Sequence, residues 1–194
     1  KPAGYTIRLA GAYEDQQESF GKMLMLFILI LILVYIVMAS QFESFAKPLI
    51  IMFTIPFALS GVILALWITG VSLDMIGALG IVLLAGIVVK NGIVLVDYIN
   101  LMRERGHDLN EAIQISGQSR MRPVLMTAFT TILGMVPMAV SQGEGAEMWR
   151  PLGIVVIGGL TVATFLTLYI VPVVYGAMSK KGERDKIKKV RENF

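Results

Sequence analysis

The run MLMLFILILILVYIVMA, residues 23–39, places seventeen residues in succession without a charge. As a helix it would be about 25 Å long at 1.5 Å per residue, close to the roughly 30 Å hydrocarbon thickness of a bilayer. A helix apolar on every side is stable only inside a large core or a membrane. Four more segments have this character: residues 48–69 with Pro56, 73–98 with Lys90, 124–140 with Pro137, and 152–178 with Gly158, Gly159 and Pro172. The chain has 56% hydrophobic and 16% charged residues with a mean hydropathy of +0.73, whereas soluble domains carry about 25% charged residues. Both observations predict an all-α membrane protein with a bundle of five transmembrane helices. Neighbouring helices, hydroxyls or water can satisfy the carbonyls that the prolines free. The small residues Gly77, Gly80, Ala85 and Gly86 predict close helix contacts. With no cysteine there is neither a disulfide framework nor a thiolate metal site.

Charge in the connections sets the expected orientation. Five spans put Lys47, the connection with Arg103, Arg105, Arg120 and Arg122, and the basic tail 179–194 on one side. The other side receives the N-terminal segment, the turn at Gly70 and Val71, and SQGEGAEMWRP, whose single cation is Arg150. The positive-inside rule makes the first side cytoplasmic and the N-terminal segment external. The tail carries Lys180, Lys181, Arg184, Lys186, Lys188, Lys189 and Arg191. Such a run can be a nucleic-acid patch, but beside this much apolar sequence the bilayer's anionic surface is the better partner.

The opening KPAGYTIRLAGAYEDQQESFG has no basic region leading into an apolar core, so it reads as a fragment boundary rather than a leader. Residues 5–9, YTIRL, alternate as a short strand. One strand is not stable alone, so it would complete a sheet formed elsewhere. The expected organisation is residues 1–21 as the end of an external domain and its connector, 22–178 as the bundle, and 179–194 as the tail. Within HDLNEAIQISG, Asp108 suits a helix N-cap, Glu111 its capping-box partner and Gly117 a stop. Leu109, Ala112, Ile113 and Ser116 share a face, which predicts a surface helix over 108–117, chiefly a connector. His107 reads as a solvated turn residue.

Polar residues inside the spans carry the functional signal. A lysine at mid-span costs about 2.5–3.5 kcal/mol on insertion scales. Lys90 could snorkel or pack. Asp97 lies nearly two turns on and shares its face, but the rise of about 10.5 Å forbids direct contact. No span supplies an acid at matching depth, so the functional reading pairs Lys90 with carboxylates outside this chain. In SRMRPVLMTAFTTILGMVP, Pro123 suits a first helical turn. Thr127, Thr130, Thr131 and Gly134 form a stripe beyond it. Those hydroxyls either bond back to their own helix or form a polar channel toward Lys90.

VVKNGIVLVDY, SRMRPVLMTAFTTILGMVPM and GEGAEMWRPLGIVVIGGLTVATFLTLYIVPVVY together resemble the C-terminal helices of resistance-nodulation-division (RND) efflux pumps. MASQFESFAKPLIIMFTIPFALSG resembles the hydrophobe/amphiphile, AcrB-like branch, and the opening strand with QQESFG resembles the exit from a second periplasmic domain. The resemblance covers the chain up to the tail. It implies the last five of twelve spans of a proton-driven multidrug antiporter in the bacterial inner membrane. The N-terminal segment would be periplasmic and the tail cytoplasmic. Its proton relay would pair an aspartate couple in the other half with Lys90, Arg120 and Thr127, with Asn91 in the place of the second aspartate. A shift of register would put Arg122 in the position of Arg120, and Asp97 and Thr131 are secondary candidates. The implied partners are the N-terminal half, two further copies in a homotrimer, a periplasmic adaptor, an outer-membrane channel and small amphiphilic substrates. Protons are the coupling ion, and no cofactor, resident metal or enzymatic activity is implied.

Two alternatives stand beside this reading. One is a non-transporting helical scaffold. The other is an RND relative that exports lipid or metal ions, which would show methionine or carboxylate relay sites. The methionines, including Met23, Met25, Met38 and Met52, are scattered through apolar spans and read better as packing. The sequence contains no GxxxxGK[ST] loop for an ATP-driven mechanism.

Overall fold

The computed structural model describes residues 12–141, 143 and 145–192, with side chains for 18–141, 143 and 145–179. Among the described residues there are six helices: α1 (Ala12–Phe42), α2 (Ala46–Met52), α3 (Thr54–Thr69), α4 (Met75–Glu104), α5 (Leu109–Val140) and α6 (Ala146–Glu192). They provide five segments long and apolar enough to cross a membrane, Glu18–Phe42, Ala46–Thr69, Met75–Glu104, Leu109–Val140 and Ala146–Ser179. The second is broken between α2 and α3. Pro56 cannot donate to the carbonyl of Met52, and its ring crowds that turn. The Thr54 hydroxyl bonds the neighbouring Ile51 carbonyl at 2.6 Å.

Two expectations change. No separate surface helix occupies 108–117, because α5 runs unbroken through Gly117 and Pro123. Asp108 is the N-cap, but its side chain makes no capping hydrogen bond. Glu111 turns to His107 instead, with Oε2 at 3.2 Å from Nδ1. The face predicted for this segment is real, and its packing explains the continuity. Ala112 and Ser116 are fully buried, with Leu109 and Ile113 against the same apolar cluster, and this burial outweighs the roughly 1 kcal/mol cost of a helical glycine. Likewise α6 does not end with the apolar run but continues to Glu192, through lysines, arginines and glutamates that favour helix. The expected strand at 5–9 lies outside the described residues.

Helix α6 is the axis of the bundle. Leu152, Gly153, Ile154, Val155 and Val156 are buried in succession, so this stretch is enclosed on all sides, whereas α1 is peripheral. Phe27, Leu31, Val34 and Met38, spaced four, three and four residues apart, face the core, while Leu24, Met25, Leu33 and Val37 are exposed. Glycines let α6 approach its neighbours. A Cβ on Gly61 would stand 2.7 Å from the Gly158 carbonyl oxygen, one on Gly158 would collide with Ala65, and one on Gly159 would collide with Leu84. Gly77 and Gly80 meet Pro151 and Val155 as small-residue packing predicts, but Gly86 meets nothing because it lies on an open face of α4.

Two polar bonds tie this frame. The Gly77 amide donates to the Asp74 carboxylate at 2.7 Å, so this acid caps α4. The buried Tyr175 hydroxyl on α6 donates to Asn100 Oδ1 on α4 at 2.6 Å. Tyr175→Phe is expected to lower stability by about 1 kcal/mol, measured as an earlier thermal unfolding in detergent.

Candidate functional site: an open polar face on α4

Leu79, Leu83, Gly86, Lys90, Asp97 and Leu101 are exposed. Their spacing of four, three, four, seven and four residues is one helical stripe. The opposite face, with Leu84, Val88, Leu95 and Ile99, is in the core. Lys90 and Asp97 therefore share a side, as their spacing predicts. Neither makes a hydrogen bond or ion pair among the described residues. Lys90 opens onto a cavity of about 430 Å³ between α1 and α4, whose walls include Ile30, Val34, Val37, Gln41 and Ile93. The bundle thus has a lysine midway along a span, beside apolar walls, without a counter-charge among the described residues. Asn91 is half-buried beside it.

Arg120 and Arg122 diverge in the structure. Arg120 is half-buried, with its guanidinium carbon 4.5 Å from the centre of the Tyr98 ring, a cation–π contact worth about 0.5–2 kcal/mol. Its Nε is buried without a hydrogen-bond partner. Arg122 is exposed. Arg120 is thus the arginine directed to α4, one residue from Asp97. Tyr98 did not emerge from the sequence, where an aromatic at a span's end has too many uses to single out.

The threonine stripe bonds back to its own helix. Thr127 donates to Val124 O at 2.9 Å, Thr130 to Met126 O at 2.8 Å and Thr131 to Thr127 O at 2.8 Å. Each hydroxyl spends its proton locally and keeps lone pairs to accept another. Among the described residues, no hydrogen bond or ion pair joins Lys90 to Arg120, Thr127 or Asp97. Nor, among the described residues, does a group of three or more His, Cys, Asp or Glu suited to a metal converge there.

Five helical segments long and apolar enough to cross a membrane make this the bundle of a multi-pass membrane protein. The chain belongs to the AcrB/AcrD/AcrF family, whose family model matches residues 1–179. It is 41% identical over 182 residues to the cobalt-zinc-cadmium resistance protein CzcA of Cupriavidus metallidurans, covering 94% of this chain and 17% of that protein. The same figures hold for the cation efflux system protein CzcA of an Alcaligenes species. Crystal forms II and I of a heavy metal efflux pump superpose with TM-scores of 0.80 and 0.74 at 33% and 34% identity. Each match covers 88% of this chain and 17% of the pump.

These relatives correct the expected branch, since they are cation and heavy-metal pumps rather than hydrophobe/amphiphile pumps. The motifs behind that expectation lie within residues 1–179, which match the AcrB/AcrD/AcrF family model. The chain spans about a sixth of the length of these relatives, 17%.

Proposed function

We propose that this chain is the C-terminal membrane module of a proton-driven RND exporter whose cargo is a divalent transition-metal cation. The cargo reading is supported by 41% identity to cation pumps along 94% of the chain. The observation that carries the coupling reading is Lys90, exposed at mid-span with no partner among the described residues. A lysine there is stable in a bilayer only when a carboxylate or water-filled path meets it. Carboxylates from the rest of the transporter pair with it when ionised and release it when protonated. That release loosens the contact between the two halves, and the helices reorient.

Arg120, held by Tyr98, keeps positive charge at the basic end of α5. The acceptor lone pairs of Thr127 and Thr131 offer steps for a proton. Asn91 and Asp97 follow the lysine along α4. The work is transport rather than catalysis. The basic end faces the cytoplasm of a bacterial inner membrane, the N-terminal segment faces the periplasm, and the protein works as a homotrimer with an adaptor and an outer-membrane channel.

The test is the whole transporter in liposomes with an imposed proton gradient. Movement of zinc, cobalt or cadmium is compared with that of a cationic amphiphilic dye. Gradient-dependent metal movement without dye movement is expected. Dye movement without metal movement would overturn the cargo.

A further inference from the structure

At the bundle end opposite the basic connections, α3 stops at Thr69, α5 stops at Val140 and α6 starts at Ala146. Arg150 lies between them. It is partly buried, its Nε is withdrawn from solvent without a hydrogen-bond partner, and no hydrogen bond or ion pair is made by this side chain among the described residues. It lines a cavity of about 380 Å³ whose other walls include Ala65, Thr69, Val140, Ile154 and Ile157. The walls are mostly apolar, and Thr69 spends its hydroxyl proton on the Ala65 carbonyl at 2.8 Å. The withdrawn Nε lacks an acceptor, and an anion seated in the cavity would supply one while meeting the guanidinium charge.

The level in the membrane identifies the anion. Arg150 stands four residues into α6, about 6 Å from its start. A headgroup layer is about 5–8 Å deep on each side of the hydrocarbon. The chain's two tryptophans sit at this same end: Trp67 on α3 is 82% exposed and Trp149 on α6 is 51% exposed. Exposed tryptophans gather where hydrocarbon meets headgroups. Arg150 is therefore at the depth of lipid phosphates, and Ile154 and Ile157 continue the cavity wall one and two turns further into the bilayer.

We propose that Arg150 binds the phosphate of a membrane phospholipid, whose acyl chain lies against Ala65, Ile154 and Ile157. The planar fork of donors suits a phosphate. The lipid fills the gap between the ends of α3, α5 and α6. This inference rests on the membrane-spanning fold and not on the cargo or on Lys90.

The experiment uses the purified whole transporter, stripped of lipid in detergent and titrated with dilauroyl phosphatidylglycerol. Retained lipid is counted by native mass spectrometry. The wild type is expected to hold one more phospholipid per chain than Arg150→Gln, with affinity falling about tenfold or more. A diacylglycerol with a glucose headgroup, which lacks phosphate, should not be held at this site. Ile157→Trp fills the cavity while keeping the charge and should lose the same lipid, so the test stands even if Arg150→Gln folds poorly. Equal phospholipid retention in the wild type and both variants would overturn the proposal. Thermal stabilisation of the wild type by inorganic phosphate but not by the phospholipid would overturn it as well. Transport is not read, so failure here is distinct from failure of the coupling or cargo reading.

Discussion

Lys90→Ala in the whole transporter is expected to reduce proton-driven export to the level of protein-free liposomes while leaving the amount of folded protein unchanged. The structure makes these outcomes separable. Lys90 is exposed on α4 and makes no hydrogen bond or ion pair among the described residues, so alanine removes no bond from this bundle. Removing a mid-span charge also makes insertion easier, by about 2.5–3.5 kcal/mol on insertion scales. A scaffold would therefore keep its function, or gain stability, with Ala, Leu or Met at this position. A coupling lysine cannot be replaced in that way, because its role depends on a cation that carboxylates can hold and release. Gradient-dependent export at the wild-type rate in Lys90→Ala, measured per folded molecule, would remove Lys90 from the mechanism.

Gly158→Val carries the largest expected structural effect. The Cβ would land on Ala65, and across the same contact the Gly158 carbonyl oxygen is only 2.7 Å from where a Cβ on Gly61 would stand. Helices α3 and α6 touch there almost backbone to backbone, and along α6 the contact is flanked by the buried Val155, Val156 and Leu160. Relief requires α3, whose outer face is exposed, to shift away from α6, so the cost is expected at about 1–3 kcal/mol, the range for overpacked cores. The readout is loss of monodisperse protein and a fall in unfolding temperature. Gly86→Ala is the matched control: nothing lies within 4 Å of its Cβ, and it should behave as the wild type.

The five spans were legible in the sequence because each apolar run is as long as a bilayer is thick, which depends on composition and not on neighbours. The face shared by Lys90 and Asp97 was legible for a similar reason, since seven residues are nearly two turns of any helix. The short helix at 108–117 was not, because Gly117 as a stop and Pro123 as a new first turn hold only when nothing stronger opposes them. Ala112 and Ser116 are held in the core by helices far away in sequence. The different surroundings of Arg120 and Arg122, two positions apart, also needed α4, since Arg120 is half-buried over the Tyr98 ring while Arg122 is exposed. The branch expectation rested on MASQFESFAKPLIIMFTIPFALSG, which lies within the residues that match the AcrB/AcrD/AcrF family model.

The sequence by itself determined that this chain crosses a membrane five times and carries a lysine inside the third span. Those properties follow from local hydropathy and helical periodicity. Tertiary structure alone decided which face of α4 stays open, where α6 meets α3 at Gly158, and that Arg150 lines a cavity between the ends of α3, α5 and α6. Each of these depends on which helix lies opposite, and a side chain's partners are set by packing across the bundle rather than by its neighbours along the chain.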